Sequence, residues 1–181
     1  TTMPAYDLTA TAQWTPNTYI ITYNSDEGTW AETSSTDDLQ KTYVYDAAVF
    51  VPTASDVTKT GYTFDKVTLA DNSTVFTGDY DQIIANATQQ SGTTYALTVY
   101  VQWTANEYTI KFEPNGGTAV ADITKPFGEE ITPPVAPTKT GYSFGGWYED
   151  ATCTVPFDFN STMPAANKIV YAKWEAEWFI I

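Results

Sequence analysis

Histidine and arginine are both absent from these 181 residues, and there is a single cysteine, Cys153. Without histidine there is no Ser-His-Asp or Cys-His nucleophile system and no histidine-based zinc site. One cysteine excludes an intrachain disulfide and a thiolate metal centre. Cys153 also stands in a polar stretch with no basic neighbour in sequence to lower its pKa, so an inert thiol is expected. Eight lysines meet 22 acids, for a net charge of −14, and with no arginine fork for phosphate, nucleic acid is not the expected partner. No apolar run in these residues reaches membrane-spanning length and no export or anchor pattern appears, so no membrane insertion is expected of them.

What the chain does have is aromatic residues: six Trp, thirteen Tyr and nine Phe. A small folding unit gathers contact area quickly from such rings. The rings are spaced by repetition. Thr58–Phe64 reads TKTGYTF and Thr138–Phe144 reads TKTGYSF; closing runs end at Trp14 (TATAQW), Trp103 (TVYVQW) and Trp174 (IVYAKW). Five residues past each of these tryptophans comes an aromatic (Tyr19, Tyr108, Phe179), and two further on an isoleucine (Ile21, Ile110, Ile181). Met3-Pro4-Ala5 and Met163-Pro164-Ala165 each begin eleven residues before a closing tryptophan. Such fixed-distance self-similarity marks a repeat array. On this register residues 1–18 are the end of one repeat plus a linker, 19–103 a long repeat, 104–174 a short one and 175–181 the start of another. The long repeat carries nine extra residues before its TKTGY and nine after it, read as loop or edge insertions.

Periodicity supplies the elements. Leu8, Ala10, Ala12 and Trp14 alternate with polar residues as a half-buried strand does, and so do Tyr19, Ile21 and Tyr23. Residues 29–42 are polar and read as a long hairpin loop containing Trp30; Tyr43–Val51 recovers strand character. Gly61 precedes two aromatics at a place that needs positive φ or close approach, and Tyr62–Leu69 alternates as a strand. Tyr80, Ile83, Ile84 and Ala87 are spaced i, i+3, i+4, i+7, which predicts a short amphipathic helix over YDQIIANATQQ with Asp79 as its N-cap. YALTVYVQW closes the long repeat. In the short repeat YTIKF is a strand, Asn115-Gly116-Gly117 a turn, residues 118–128 a return strand with Val120 and Ile123, and Pro133, Pro134 and Pro137 forbid a central strand between. Gly145-Gly146 should bulge the GYSFGGWY strand, and an irregular excursion pinned by Phe157, Phe159 and Met163 leads to the closing IVYAKW.

Few residues suggest chemistry. None of the 22 acids has the apolar flanks that raise the pKa of a general acid, so no catalytic residue is assigned. Asp79-Tyr80-Asp81 starts like a calcium loop but lacks the later ligands and glycine, and no metal or other cofactor is expected. Asn72, Asn86 and Asn160 stand in sequons that a Thr- and Ser-rich chain yields by chance. The candidate ligand contacts are aromatic: Trp30, Trp147 and Tyr148 could offer indole and phenol faces to the C–H face of a sugar. Trp30 is the one set in a polar loop with no evident reason for burial; core packing on its strand is the plainer reading for Trp147.

The order YTIKF, NGG, PTKTGYSFGGWY, FDF, MP, IVYAKW over Tyr108–Trp174 resembles the Listeria/Bacteroides repeat, also called the internalin B-repeat. The long repeat shares YIITY, TKTGYTF and YVQW but has Asp65-Lys66-Val67 where its neighbour has Gly145-Gly146-Trp147, and it lacks the Met-Pro pair. The resemblance implies an α+β, predominantly β fold of tandem small β-grasp (ubiquitin-like) units on exported bacterial surface proteins, placed outside the cell as stalks or in adhesion. The expected role is therefore a non-enzymatic spacer whose partners are neighbouring repeats. The alternative is a module that binds a host protein or glycan through the long repeat's insertions.

Overall fold

A computed structural model describes residues 11–177 of the chain. It is mostly β, with twelve elements: β1 (Thr18–Asn24), β2 (Thr29–Trp30), β3 (Leu39–Val44), β4 (Val57–Thr58), β5 (Tyr62–Thr68), α1 (Tyr80–Asn86), β6 (Thr88–Ser91), β7 (Thr94–Ala105), β8 (Glu107–Glu113), β9 (Ile123–Pro126), β10 (Tyr142–Tyr148) and β11 (Lys168–Ala176). They form two compact units. One comprises the described residues up to Val57 together with Lys66–Gln102; the other comprises Thr58–Asp65 and the described residues from Trp103 onward. The TKTGYTF turn of the long repeat therefore belongs to the second unit, which repetition in the sequence does not foretell.

The two larger sheets are wired alike. One runs β3-β1-β7-β5, with β6 added to β7, and the other β9-β8-β11-β10. In each, the opening strand pairs antiparallel with the return strand and parallel with the closing strand: Tyr19 faces Tyr43 and Tyr95, and Ile110 faces Ile123 and Lys168. Return strands follow by a hairpin, but a parallel closing strand needs a long crossover. The TKTGY strand and the segment after it supply that crossover.

Registers also locate the insertions. Tyr43 stands 24 residues after its partner Tyr19, whereas Lys125 stands 17 after Tyr108, so seven of the nine early extra residues lengthen the opening hairpin. The hairpin's first turn is unchanged by this. Gly28 N–H donates to Ser25 O at 3.0 Å and Gly117 N–H to Pro114 O at 2.9 Å, and the paired left-handed residues are Asp26 and Glu27 in one, Asn115 and Gly116 in the other.

The crossovers match in a way the sequence hides. Phe76 N–H donates to Val67 O at 2.8 Å, and Phe157 N–H to Trp147 O at 2.9 Å. Phe76 is thus the structural counterpart of Phe157, and Val67 of Trp147. The loops between are held by one carboxylate each. Asp71 accepts from the amides of Ser73 and Thr74 and from the Thr74 hydroxyl. Asp150 accepts from the amides of Thr154 and Val155 and from the hydroxyls of Thr152 and Thr154. Hydroxyl and amide donors hold both carboxyls well below the usual range, the Thr74 and Thr152 hydroxyls first.

Several expectations need correction. Tyr45–Val51 is not strand: β3 starts earlier, at Leu39 inside the stretch read as loop, and ends at Val44. Val120 lies outside β9. The helix stops at Asn86 because Thr88–Ser91 pairs with β7 as β6. Asp79 occupies the N-cap position but makes no side-chain cap bond; its carboxylate accepts from the Thr77 hydroxyl instead. Of the four spaced apolar residues only Ile83 is buried, while Ile84 is half exposed. Among the described residues Thr11–Trp14 pairs with no strand, and Trp14 is 90 % exposed, since alternation makes a strand only where a neighbouring edge takes up its backbone. The copied Met3-Pro4-Ala5, the first half of that predicted strand, Phe179 and Ile181 lie outside the described residues. The Gly145-Gly146 bulge is present: the β10 register slips between Phe144 and Trp147, with Gly146 at φ 107°.

In the first unit the core gathers around Tyr23, whose ring meets Trp30, Phe50 and Phe76 edge-on. Its hydroxyl donates to Phe50 O at 2.6 Å and lies 3.2 Å from the Tyr43 hydroxyl. Burial, then the Tyr43 contact, raises its pKa far above the model-compound value of 10.0. The neutral form is therefore favoured by folding. Stability from this hydroxyl is whole below about pH 10, where an unfolded tyrosine keeps its proton, and is lost as pH rises beyond it. Urea unfolding midpoints should accordingly fall more steeply above about pH 10 in the native chain than in Tyr23→Phe. Tyr80, also raised chiefly by burial, leaves the variant a smaller residual slope. Equal slopes would show that the Tyr23 hydroxyl reaches solvent.

Candidate functional site

The three aromatic residues singled out from the sequence do not come together. Trp30 is 1 % exposed, held by backbone pairing with Ser34 and Ser35 and by the β2–β4 ladder. No face of its indole is open to a ligand, which corrects the expectation drawn from its polar surroundings. Trp147 is buried in the second unit's core at 4.7 Å between ring centres from Phe112 and 5.4 Å from Phe144. Tyr148, next on the strand and so facing the other way, is half-buried, with Lys173 Nζ 5.4 Å from its ring centre. Among the described residues neither indole N–H of Trp30 or Trp147 meets an acceptor.

An open groove of about 570 Å³ does exist in the second unit, on the TKTGY turn. Its walls include Gly116, Gly117, Lys139, Tyr142, Phe144 and Trp174. Each is placed by a local rule. Gly141 takes φ 80°, allowing Tyr142 N–H to reach back to Lys139 O at 3.1 Å. Lys139 then folds over the turn: Nζ donates to Asn115 O at 2.9 Å and sits 4.7 Å from the Tyr142 ring centre and 5.7 Å from that of Trp174. Trp174 is pinned in turn, its indole N–H donating to Pro114 O at 2.9 Å. Gly117 leaves the space this ring fills, for a Cβ there would stand 2.3 Å from Trp174 Cζ2.

The equivalent turn in the long repeat is built to the same plan. Gly61 has φ 81°, Tyr62 N–H donates to Lys59 O at 3.1 Å, and Lys59 Nζ lies 4.8 Å from the Tyr62 ring centre. Phe64 meets Trp103 edge-on as Phe144 meets Trp174. This agreement in geometry extends through turn, cation and ring pair.

The groove's chemistry is that of contact. One ammonium, already shared between two rings and a carbonyl, and aromatic edges line it; among the described residues no carboxylate stands in its walls to move a proton. Among the described residues no three metal-ligating side chains cluster, and Cys153 is a free, half-buried thiol near the Ala172 carbonyl.

The family model of the Listeria-Bacteroides repeat domain matches residues 19–100 and again residues 108–173. The chain belongs to that family. Matching starts at Tyr19 and Tyr108, the first aromatic of each opening strand. Among relatives, a protein of Evansella cellulosilytica named as a Gly-rich membrane protein is 34 % identical over 179 residues, covering 99 % of this chain and 20 % of its own length. A second membrane protein by name from the same organism is 41 % identical over 85 residues, 47 % of this chain and 13 % of its own. Internalin H of Listeria monocytogenes is 39 % identical over 79 residues, 43 % of this chain and 14 % of its own. The chain thus spans a fifth or less of the length of these relatives. No helix among the described residues is long and apolar enough to cross a membrane.

Proposed function

We propose that this Listeria-Bacteroides repeat chain is a non-enzymatic tandem module of a bacterial cell-surface protein, acting outside the cell as a spacer or stalk that supports adhesion. Residues 19–103 and 104–174 are its two repeats, 1–18 the end and linker of a preceding one, and 175–181 the beginning of the next. Each repeat is read as a β-grasp, ubiquitin-like unit. The strand order supports this: opening and closing strands lie parallel in the middle, with the return strand outside one and the TKTGY strand outside the other.

The observation that carries the spacer reading is the joint between β7 and β8. The closing strand runs to Ala105 and the next opening strand begins at Glu107. A single residue, Asn106, separates them. So short a connection restrains orientation far more than a Gly/Ser linker would. Small-angle scattering should show an elongated particle for the intact chain, and a compact globular pair would overturn the spacer reading.

A ligand-binding role has one observation in its favour, the open Lys139–Tyr142–Trp174 groove, now that Trp30 is buried. A glycan array probed with the native chain and with Tyr142→Ala separates the two readings. The spacer reading expects no signal; binding lost in the variant would favour the module that grips a sugar.

A further inference from the structure

Two turns of like construction have opposite exposure. In the second unit, Gly61 is buried and Tyr62 half-buried; Gly141 and Tyr142 are both exposed. The difference has one cause. A Cβ on Gly61 would meet the Phe127 ring at 2.4 Å, and that ring stands edge-on to Tyr62 at 5.5 Å; a Cβ on Gly141 would meet nothing within 4 Å.

Phe127 is delivered by a turn, Pro126-Phe127-Gly128-Glu129, at the end of return strand β9. Gly128 has φ 81°, and Glu129 N–H closes on Pro126 O at 3.2 Å. The backbone completes the seat: Asn106 N–H donates to Gly61 O at 2.9 Å, and Phe127 N–H to Asn106 O at 2.8 Å. The first half of this relay exists at the other turn. Glu177, three residues past Trp174 as Asn106 is past Trp103, donates its N–H to Gly141 O at 3.0 Å. Glu177 is exposed, whereas Asn106 is half-buried.

The long repeat carries the matching aromatic turn. Tyr45 holds the register position of Phe127 on its return strand, Asp46 takes φ 73° in the place of Gly128, and Ala47 N–H closes on Val44 O at 3.0 Å. Tyr45 N–H donates to Asn17 O at 2.9 Å, as Phe127 N–H does to Asn106 O. Tyr45 is 50 % exposed. Both repeats thus present an aromatic on a return-strand turn, and both TKTGY turns present a glycine face that fits one.

We propose that the exposed Gly141–Tyr142–Glu177 face is a docking seat for the aromatic return-strand turn of a following repeat of the same family. This deepens the spacer reading and rests on it. The incoming ring covers Gly141 and meets the edge of Tyr142, while its amide bonds Glu177 O, so that consecutive repeats are fixed by a ring as well as by the short connection. Glycine is required at the seat twice over, for φ and for room.

The test extends the chain in its own register, since Glu175–Ile181 aligns with Thr104–Ile110: residues 111–174 are repeated after Ile181. Nuclear magnetic resonance then reads the two glycines. In the 181-residue chain, Phe127→Ala should shift the Gly61 resonances and leave those of Gly141 in place. In the extended chain the Gly141 signals should move, and Phe127→Ala in the appended copy should return them. A Gly61 signal indifferent to Phe127→Ala would remove the template, and Gly141 unmoved in the extended chain would overturn the seat. Scattering on the same samples separates the two ideas. An elongated extended chain with Gly141 unmoved defeats the seat and leaves the spacer, whereas a compact one with Gly141 moved does the reverse.

Discussion

Trp30→Ala should destabilise the protein by about 3–5 kcal/mol, the range for removing a large aromatic from a packed interior. That is a large share of what holds a small domain folded. The ring is 1 % exposed and meets Tyr23 edge-on at 6.4 Å, so its removal leaves a cavity beside a tyrosine that also serves Phe50 and Phe76. Trp30→Phe should recover part of the loss. Equilibrium urea unfolding followed by circular dichroism measures both. A neutral Trp30→Ala would mean that the indole lies on the surface, and the residue would again be a candidate for sugar contact.

The second large effect is a contrast between two glycines in the same motif. Alanine at either Gly61 or Gly141 must adopt a left-handed backbone, at about 1–2 kcal/mol. At Gly61 the added carbon also falls 2.4 Å from Cδ1 and 2.5 Å from Cγ of Phe127. A ring cannot yield as a flexible chain end does, and overpacking of this kind adds about 1–3 kcal/mol. Gly61→Ala should therefore be clearly worse than Gly141→Ala, by unfolding midpoints under identical conditions. Equal losses would show that Phe127 does not lie on Gly61.

How far the fold could be read ahead depended on whether its determinants were local. The TKTGY turns, the NGG turn, the Gly145-Gly146 bulge and the closing strands through Trp103 and Trp174 were legible because each is fixed by residues within a few positions, whereas Thr11–Trp14, patterned alike, forms no strand. The kinship of Phe76 and Phe157 was not, because Pro156 adds a residue before Phe157 and the carboxylates that tie the two loops stand in dissimilar sequence. The burial of Trp30 was hidden for another reason: its neighbours in sequence are polar, and the Tyr23 ring and strand β4 come to it only through the fold. Ile84 shows the reverse failure, since helical spacing marks one face but does not supply a surface to cover all of it. The seat at Gly141 left only its glycine in the sequence, and exposure there became informative once Gly61 was seen beneath a ring.

Finally, the parallel pairing of first and last strands sets how each repeat would respond to tension. Thr18–Asn24 lies in register beside Thr94–Tyr100, and Ile110–Glu113 beside Lys168–Tyr171. Pulling on the two ends of either repeat draws such neighbours lengthwise past each other, so the bonds between them resist together and do not open one after another like a zipper. A chain of such repeats, pulled from its ends, should yield abruptly, repeat by repeat.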